Sequence, residues 1–290
     1  MSRRPDFLVI GHVTKDVIPG GYTIGGTVTY AALTARNLGY RAAVLTSVEP
    51  ALDLAAALAG VDVHRVPATA TTTFDNQYVN GHRRQYLYAV AAPITAAHVP
   101  PAWRQTPVVH LGPLVRELAA DLPAHFPHSL VGVTPQGWLR AWDGQDRLVR
   151  PRSWVEAPKV LARTDVLIFS QEDVGGDRDT IVAWSRLVPV MVVTQGPRGA
   201  DVYVRGEPRH VPAFPAREVD PTGAGDAFAA AFLLRFQESA NPYEAARFAH
   251  CVASFCVEGP GATNLPTREQ VRQRLNAKGA SDTKRRAGCG

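Results

Sequence analysis

The stretch Asp220-Pro-Thr-Gly-Ala-Gly-Asp226 runs straight into Ala227-Phe-Ala-Ala-Ala-Phe-Leu-Leu234. Two glycines let the backbone turn tightly and aim successive N–H groups into one concavity. The apolar run behind them reads as a buried helix, whose N-terminus adds a positive partial charge at the same place. Asp226 stands at that mouth. An anion cradle beside a carboxylate suits transfer of a phosphoryl group onto a hydroxyl. A Gly-rich turn whose Asp caps a core helix would have the same residues.

Working outward, short β-branched runs alternate with helical patterns. Residues 7–13, 41–48, 108–111, 130–134, 165–169 and 190–194 read as strands. Helices are predicted over 27–38, 52–59, 115–125, 156–163 and 180–187. Asn241-Pro242 caps a helix running toward Val257, and Thr267 with Gln270 opens a last one over 268–275. Apolar strands separated by helices imply an α/β fold with a mostly parallel central sheet covered on both faces. One segment interrupts the pattern: 71–79 and 82–89 alternate polar and apolar residues around Asn80-Gly81, a strong hairpin signal. This small hairpin, near 71–90, is expected to act as a lid over a cleft, with 18–24 as a further lid strand.

At 290 residues, 46% of them hydrophobic, the chain can build a sizeable core. Residues 1–277 read as a single α/β domain and 278–290 as a disordered tail. That tail carries a net +3 of the total +5 charge, so the body has no basic stripe and nucleic-acid binding is not expected. No apolar run spans a bilayer and the N-terminus lacks a signal-peptide core, so no membrane association and a cytoplasmic location are expected. Cys251 and Cys256 read as small core residues, and no Cys or His pair has metal-ligand spacing. There is no Gly-x-x-x-x-Gly-Lys-[Ser/Thr] loop, no Gly-x-Ser-x-Gly elbow, and no dinucleotide fingerprint after the first strand.

The string 220–226 resembles the signature of the PfkB/ribokinase-like carbohydrate kinases, and weaker matches extend the resemblance over roughly residues 7–275. Asp16 and the pair Gly25-Gly26 fall where that family contacts the hydroxyls of its phosphate acceptor. Small residues there let a polyol reach the backbone, and a carboxylate accepts two hydroxyl hydrogen bonds. Thr194-Gln-Gly196-Pro-Arg-Gly199 resembles the family's nucleotide loop. Ser170-Gln-Glu172-Asp173 stands where Asn-x-x-Glu organises Mg2+ through water, with both ends substituted here. Val133-Thr-Pro-Gln136 matches a segment that faces the acceptor, and Tyr30 replaces the family's usual Asn, facing the acceptor or packing in the core.

The resemblance implies a ribokinase-like three-layer fold, ATP as phosphoryl donor, Mg2+ and a monovalent cation such as K+ as cofactors, and a small polyol acceptor. It assigns Asp226 as base, with the N–H groups of Gly223, Ala224 and Gly225 as anion hole. Thr194, Gly196, Gly199 and Thr222 would bind nucleotide. Asp16, Gly25, Gly26 and Gln136 would bind acceptor, and Glu172 and Asp173 would serve the metal. The opening residues, the 25–30 turn and Ser170 point toward the inositol-kinase-like branch, with other sugars, nucleosides or a catalytically silent sensor as alternatives. Pairing through the hairpin edge would make a homodimer.

Overall fold

A computed structural model describes residues 4–79 and 82–287. The chain opens with β1 (Phe7–Ile10), β2 (Thr14–Ile18), β3 (Gly21–Gly25), α1 (Thr27–Asn37), β4 (Ala42–Val48) and β5 (Asp62–Pro67). Then follow β6 (Thr72–Val79), β7 (His82–Ala89), β8 (Val108–Leu111), β9 (Leu130–Val133), β10 (Arg140–Ala141) and β11 (Arg150–Pro151). The next elements are α2 (Ala157–Leu161), β12 (Val166–Ser170), α3 (Arg178–Ser185), β13 (Val190–Thr194), β14 (Ala200–Val204) and β15 (Glu207–Val211). The chain closes with α4 (Ala224–Ser239), α5 (Pro242–Cys256) and α6 (Arg268–Ala287). No helix of the described residues is long and apolar enough to cross a membrane.

The main sheet has the order β15-β14-β13-β12-β9-β8-β1-β4-β5, parallel from β13 to β5 and antiparallel only at β14 and β15. Its strands are apolar on both faces because both are covered. Along β1, Phe7 and Val9 enter the core shared with α1, α4 and α5, while Leu8 and Ile10 enter the core shared with α2 and α3. All four are fully buried, each side chain contributing about 1.5–3 kcal/mol as an upper bound. Gly132 in β9 lets α4 sit close, because a Cβ there would lie 2.4 Å from Leu233. On the opposite face Trp138, Trp154 and Trp184 pack together, the first two stacked at 5.0 Å. This is the three-layer α/β arrangement expected.

Several elements differ from expectation. Instead of a helix over 52–59, residues 52–54 are irregular and 55–59 form turns, with Leu58 N donating to Leu54 O as an isolated helical bond. Segment 115–125 is irregular except for the short 3-10 turn Leu122–His125. Arg116 takes a φ of 63° there, which ends any helix. Helix α6 continues through residues 276–287, past the end expected at 275 and into the segment read as a disordered tail. Residues 288–290, and the Asn80-Gly81 turn, lie outside the described residues.

The sheet expected to act as a lid is larger than one hairpin. β2 and β3 form a second hairpin, and β2 runs parallel to β6, giving a four-stranded sheet of order β3-β2-β6-β7. The outer edge of β7 is also tied down: Leu87 N donates to Arg147 O at 2.9 Å, and Val149 N donates to Gln85 O at 2.8 Å.

A buried carboxylate joins the segments that leave β1 and β8. Glu117, 3% exposed, accepts from His12 N at 3.0 Å, from Leu114 N at 3.0 Å and from Val115 N at 2.8 Å. Its removal strands three buried donors. Glu117→Ala is expected to cost about 3 kcal/mol, seen as a lower urea midpoint, with Glu117→Gln recovering part; an unchanged midpoint would show the carboxylate dispensable.

Candidate active site

Parallel strands end at one edge, and ligands of such sheets bind outside those carboxyl ends. Here β12 and β13 and the segments that leave β8 and β9 all deliver residues to one cleft of about 420 Å³, roofed by the small sheet and floored by the N-terminus of α4.

Gly223 makes the floor. It caps α4 with a φ of 77°, and a Cβ there would lie 2.1 Å from the Tyr30 ring. Only glycine meets both demands. Tyr30 therefore does two things: it packs under the turn and borders the cleft, 7% exposed. Burial, with Asp226, Asp16 and Asp220 nearby, holds its phenol well above the ordinary value, so it stays neutral. Asp220 fixes the other end of the turn by accepting from Thr222 N at 2.9 Å and Gly261 N at 2.8 Å. Burial works against its ionisation, but a hydrogen bond from the Thr222 side chain together with these two backbone bonds outweighs that and holds its carboxyl below the usual range. Behind the turn Cys256 is pushed up to about 12, by burial first and then by Asp226 and Asp220. It remains a thiol and a core residue.

Asp226 occupies the first turn of α4 and borders the cleft. Its helix-terminal position alone would depress its pKa. The structure gives the opposite result: desolvation dominates and raises it from 3.8 to about 6. The hydrogen bond from Thr27 and the charge of Arg140 oppose the rise, while Asp173 adds to it.

On the lid side, Asp16 and Thr14 of β2 line the cleft. Gly25 stands opposite Thr14, and a Cβ on it would lie 2.1 Å from Asp16 Oδ2, so the glycine gives the carboxylate its place. Asn76 and Gln85 face each other across β6 and β7, with Gln85 Nε2 donating to Asn76 Oδ1 at 2.9 Å. Phe74 adds an apolar wall, and Gln136 lies in the turn after β9.

Residues expected to bind nucleotide divide. Thr194 and Thr222 border the cleft, whereas Gly196 and Gly199 do not. Gly199 is a packing glycine: its φ is 109°, and a Cβ would lie 2.3 Å from Val211 O. Ala224 lies in the first turn of α4 without bordering the cleft, while Gly223 and Gly225 do. Glu172 and Asp173 both reach the cleft, but Asp173 Oδ2 accepts from Ser170 N at 2.9 Å and Ser170 Oγ from Glu172 N at 3.2 Å. That capping arrangement occupies part of the acid pair. Among the described residues no three His, Cys, Asp or Glu side chains converge on a metal position. Two cleft carboxylates do suit a hydrated Mg2+ held mainly by substrate phosphates.

Sequence reasoning missed Thr14, Thr27, Phe74, Asn76, Gln85 and Arg140. The alternation of the hairpin carries a signal for Phe74, Asn76 and Gln85, which share one face of the lid. Arg140 has no local signal. It follows the 3-10 turn Gln136–Leu139, whose irregular backbone aims it at the cleft.

Residues 146–268 match the model of the pfkB family carbohydrate kinases. A nucleoside kinase of Methanocaldococcus jannaschii is 37% identical over 90 residues, 30% of each chain. The matched stretches span less than half the length of such curated relatives. A solved pyrophosphate-dependent kinase of the ribokinase family, complexed with a pyrophosphate analog and myo-inositol, is 25% identical with a TM-score of 0.76. That likeness covers 92% of this chain and 99% of the other. Arabidopsis thaliana ribokinase, complexed with ribose and ATP, shares the fold at a TM-score of 0.72 and 20% identity, over 94% and 99% of the two chains. The signature turn lies within the segment 146–268 that is similar to the pfkB family of carbohydrate kinases, and the α/β sheet that positions it has the fold of the ribokinase-family structures.

Proposed function

We propose that the chain is a kinase that transfers the terminal phosphoryl group of ATP to a hydroxyl of a small neutral polyol, a cyclitol such as myo-inositol ranking first. The observation that carries this reading is the meeting of Asp226 and the Gly223 turn with Asp16 and a polar lid in one cleft. At the acceptor end, Asp16, Thr14, Asn76, Gln85 and Gln136 offer hydrogen bonds suited to a ring of hydroxyls. The family match and the solved complexes with myo-inositol, and with ribose and ATP, support this substrate class.

In this mechanism the acceptor hydroxyl lies between Asp16 and Asp226. Asp226 takes its proton as the oxygen attacks phosphorus and the bond to the donor oxygen breaks. The amides of Gly223 and Gly225 face the phosphoryl oxygens, whereas the expected third donor, Ala224 N, lies off the cleft and donates to Pro221 O at 3.2 Å. Glu172 and Asp173 would hold Mg2+ through water, and the metal would neutralise donor phosphate charge. A pKa near 6 makes Asp226 a better base than a solvated carboxylate while leaving it ionised at neutral pH.

A second reading concerns the donor. Gly196 and Gly199 stand away from the cleft, and pyrophosphate is the donor of one structural relative, which favours a donor without a nucleoside.

Phosphate release or ADP release is to be measured across cyclitols, sugars and nucleosides, with ATP or pyrophosphate, with Mg2+ and with or without K+. Turnover of a cyclitol is the expected result. Polyol binding without turnover under every condition would leave a sensor instead.

Asp226→Asn is expected to keep donor binding while turnover falls roughly a hundredfold or more. Near-normal turnover would remove Asp226 as base. In the wild type, kcat/KM should fall as pH drops through about 6, where Asp226 takes up its proton. The folded state holds that proton more tightly than the unfolded chain, so folding stability falls as pH rises from 3.8 to about 6. The same Asn variant should therefore melt higher than wild type at pH 7.5.

A further inference from the structure

Four acids, Asp16, Glu172, Asp173 and Asp226, border the cleft, and Arg140 is the one cationic side chain that borders it among the described residues. A phosphoryl group in flight, and the phosphate ester it becomes, carry negative charge into this acidic surround. The backbone amides at the start of α4 supply partial charges only. A full positive charge inside a desolvated site is worth far more than one in water.

Arg140 is held where that charge is needed. It starts β10, which pairs with β11, and its backbone follows the turn carrying Gln136. Its Nη1 lies 3.5 Å from Leu114 O, and its guanidinium stands 5.8 Å from the Phe74 ring centroid, so lid and core both touch it. Its charge also acts on Asp226. A planar guanidinium with several fixed donors suits two oxygens of one phosphoryl group better than an ammonium does.

We propose that Arg140 is a further catalytic residue, binding the oxygens of the phosphoryl group as it passes from donor to acceptor. The inference rests on the kinase reading proposed above. Arg140 takes no proton in the step: the donor P–O bond breaks, the acceptor O–P bond forms, and the hydroxyl proton goes to Asp226. The residue lowers the barrier by contacts that strengthen as charge spreads over the equatorial oxygens.

The test uses the full chain with Arg140→Gln and Arg140→Lys, each first checked for a wild-type melting profile. Calorimetric titration with inorganic pyrophosphate reads anion binding whether or not the chain turns over; titration with myo-inositol reads the acceptor side. Arg140→Gln is expected to weaken pyrophosphate binding about tenfold or more and to lower kcat about a hundredfold or more. Myo-inositol affinity should stay unchanged, and Arg140→Lys should restore part of both losses. Added guanidinium ion should raise turnover of Arg140→Gln. Equal pyrophosphate affinity in wild type and Arg140→Gln overturns the inference, as does a kcat within threefold of wild type. If Arg140→Gln does not fold, Arg140→Lys decides: pyrophosphate affinity and kcat both equal to wild type would overturn the demand for a guanidinium. A chain that loses anion binding in Arg140→Gln yet turns over no acceptor as wild type would sink the kinase reading while leaving the anion site standing.

Discussion

The cleft depends on a buried carboxylate that touches none of its contents. Glu117 accepts the N–H groups of His12, Leu114 and Val115, which leave the ends of two adjacent strands and have no strand partner there. Buried amides need acceptors, and a carboxylate can serve several at once. The bonds that satisfy these donors also fix where the chain goes next. Two residues beyond His12 comes Thr14, and Leu114 is itself bound; both border the cleft. Hydrogen-bond satisfaction in the core thus sets the position of this wall of the cleft.

The electrostatics of Asp226 show how competing effects are ranked. A carboxylate in the first turn of a helix gains from the dipole, usually by less than 1 kcal/mol, and this favours the ionised form. Loss of solvent acts in the opposite direction, and at this site it wins. Thr27 and Arg140 oppose the shift and keep the group within reach of neutrality, while Asp173 works with desolvation. The arrangement yields a carboxylate whose proton affinity falls between those of an ordinary acid and a histidine. Helix position alone, all that the sequence offers, gives the wrong sign.

Much of the fold was legible because the central strands are buried on both faces and so appear as unbroken apolar runs. The segment 220–226 and Gly25-Gly26 were legible for a different reason: a φ of 77° at Gly223 and the crowding of Asp16 onto Gly25 leave glycine without a substitute. Where packing gave way to hydrogen bonding the pattern misled. Segment 115–125 has helical spacing, yet Glu117 turns its carboxylate back onto the amides of Leu114 and Val115, and Arg116 adopts a left-handed φ. Strand β2 carries Lys15 and Asp16 beside its apolar residues, so its place in the lid follows from pairing with β3 and β6 rather than from composition. Arg140 was invisible because its place on the cleft comes from a long-range meeting of β10 with Phe74 and the start of α4.

The small sheet and the strand that presents Arg140 share a support. β7 is bound along its outer edge to Arg147 and Val149, in the segment that joins β10 to β11, and Arg147 stands over Tyr88 at 5.1 Å. Phe74 and Leu87 of the lid pack with Leu114 and Val115, and Trp142 and Val149 pack against them. Displacing β7 would strip hydrogen bonds from backbone groups on both sides and open that apolar cluster. The roof over the cleft and the strand that presents Arg140 are therefore parts of one packed unit. Phe74, 2% exposed, gives that unit an apolar inner wall beside Arg140, and a charge beside such a wall is screened less than one in water.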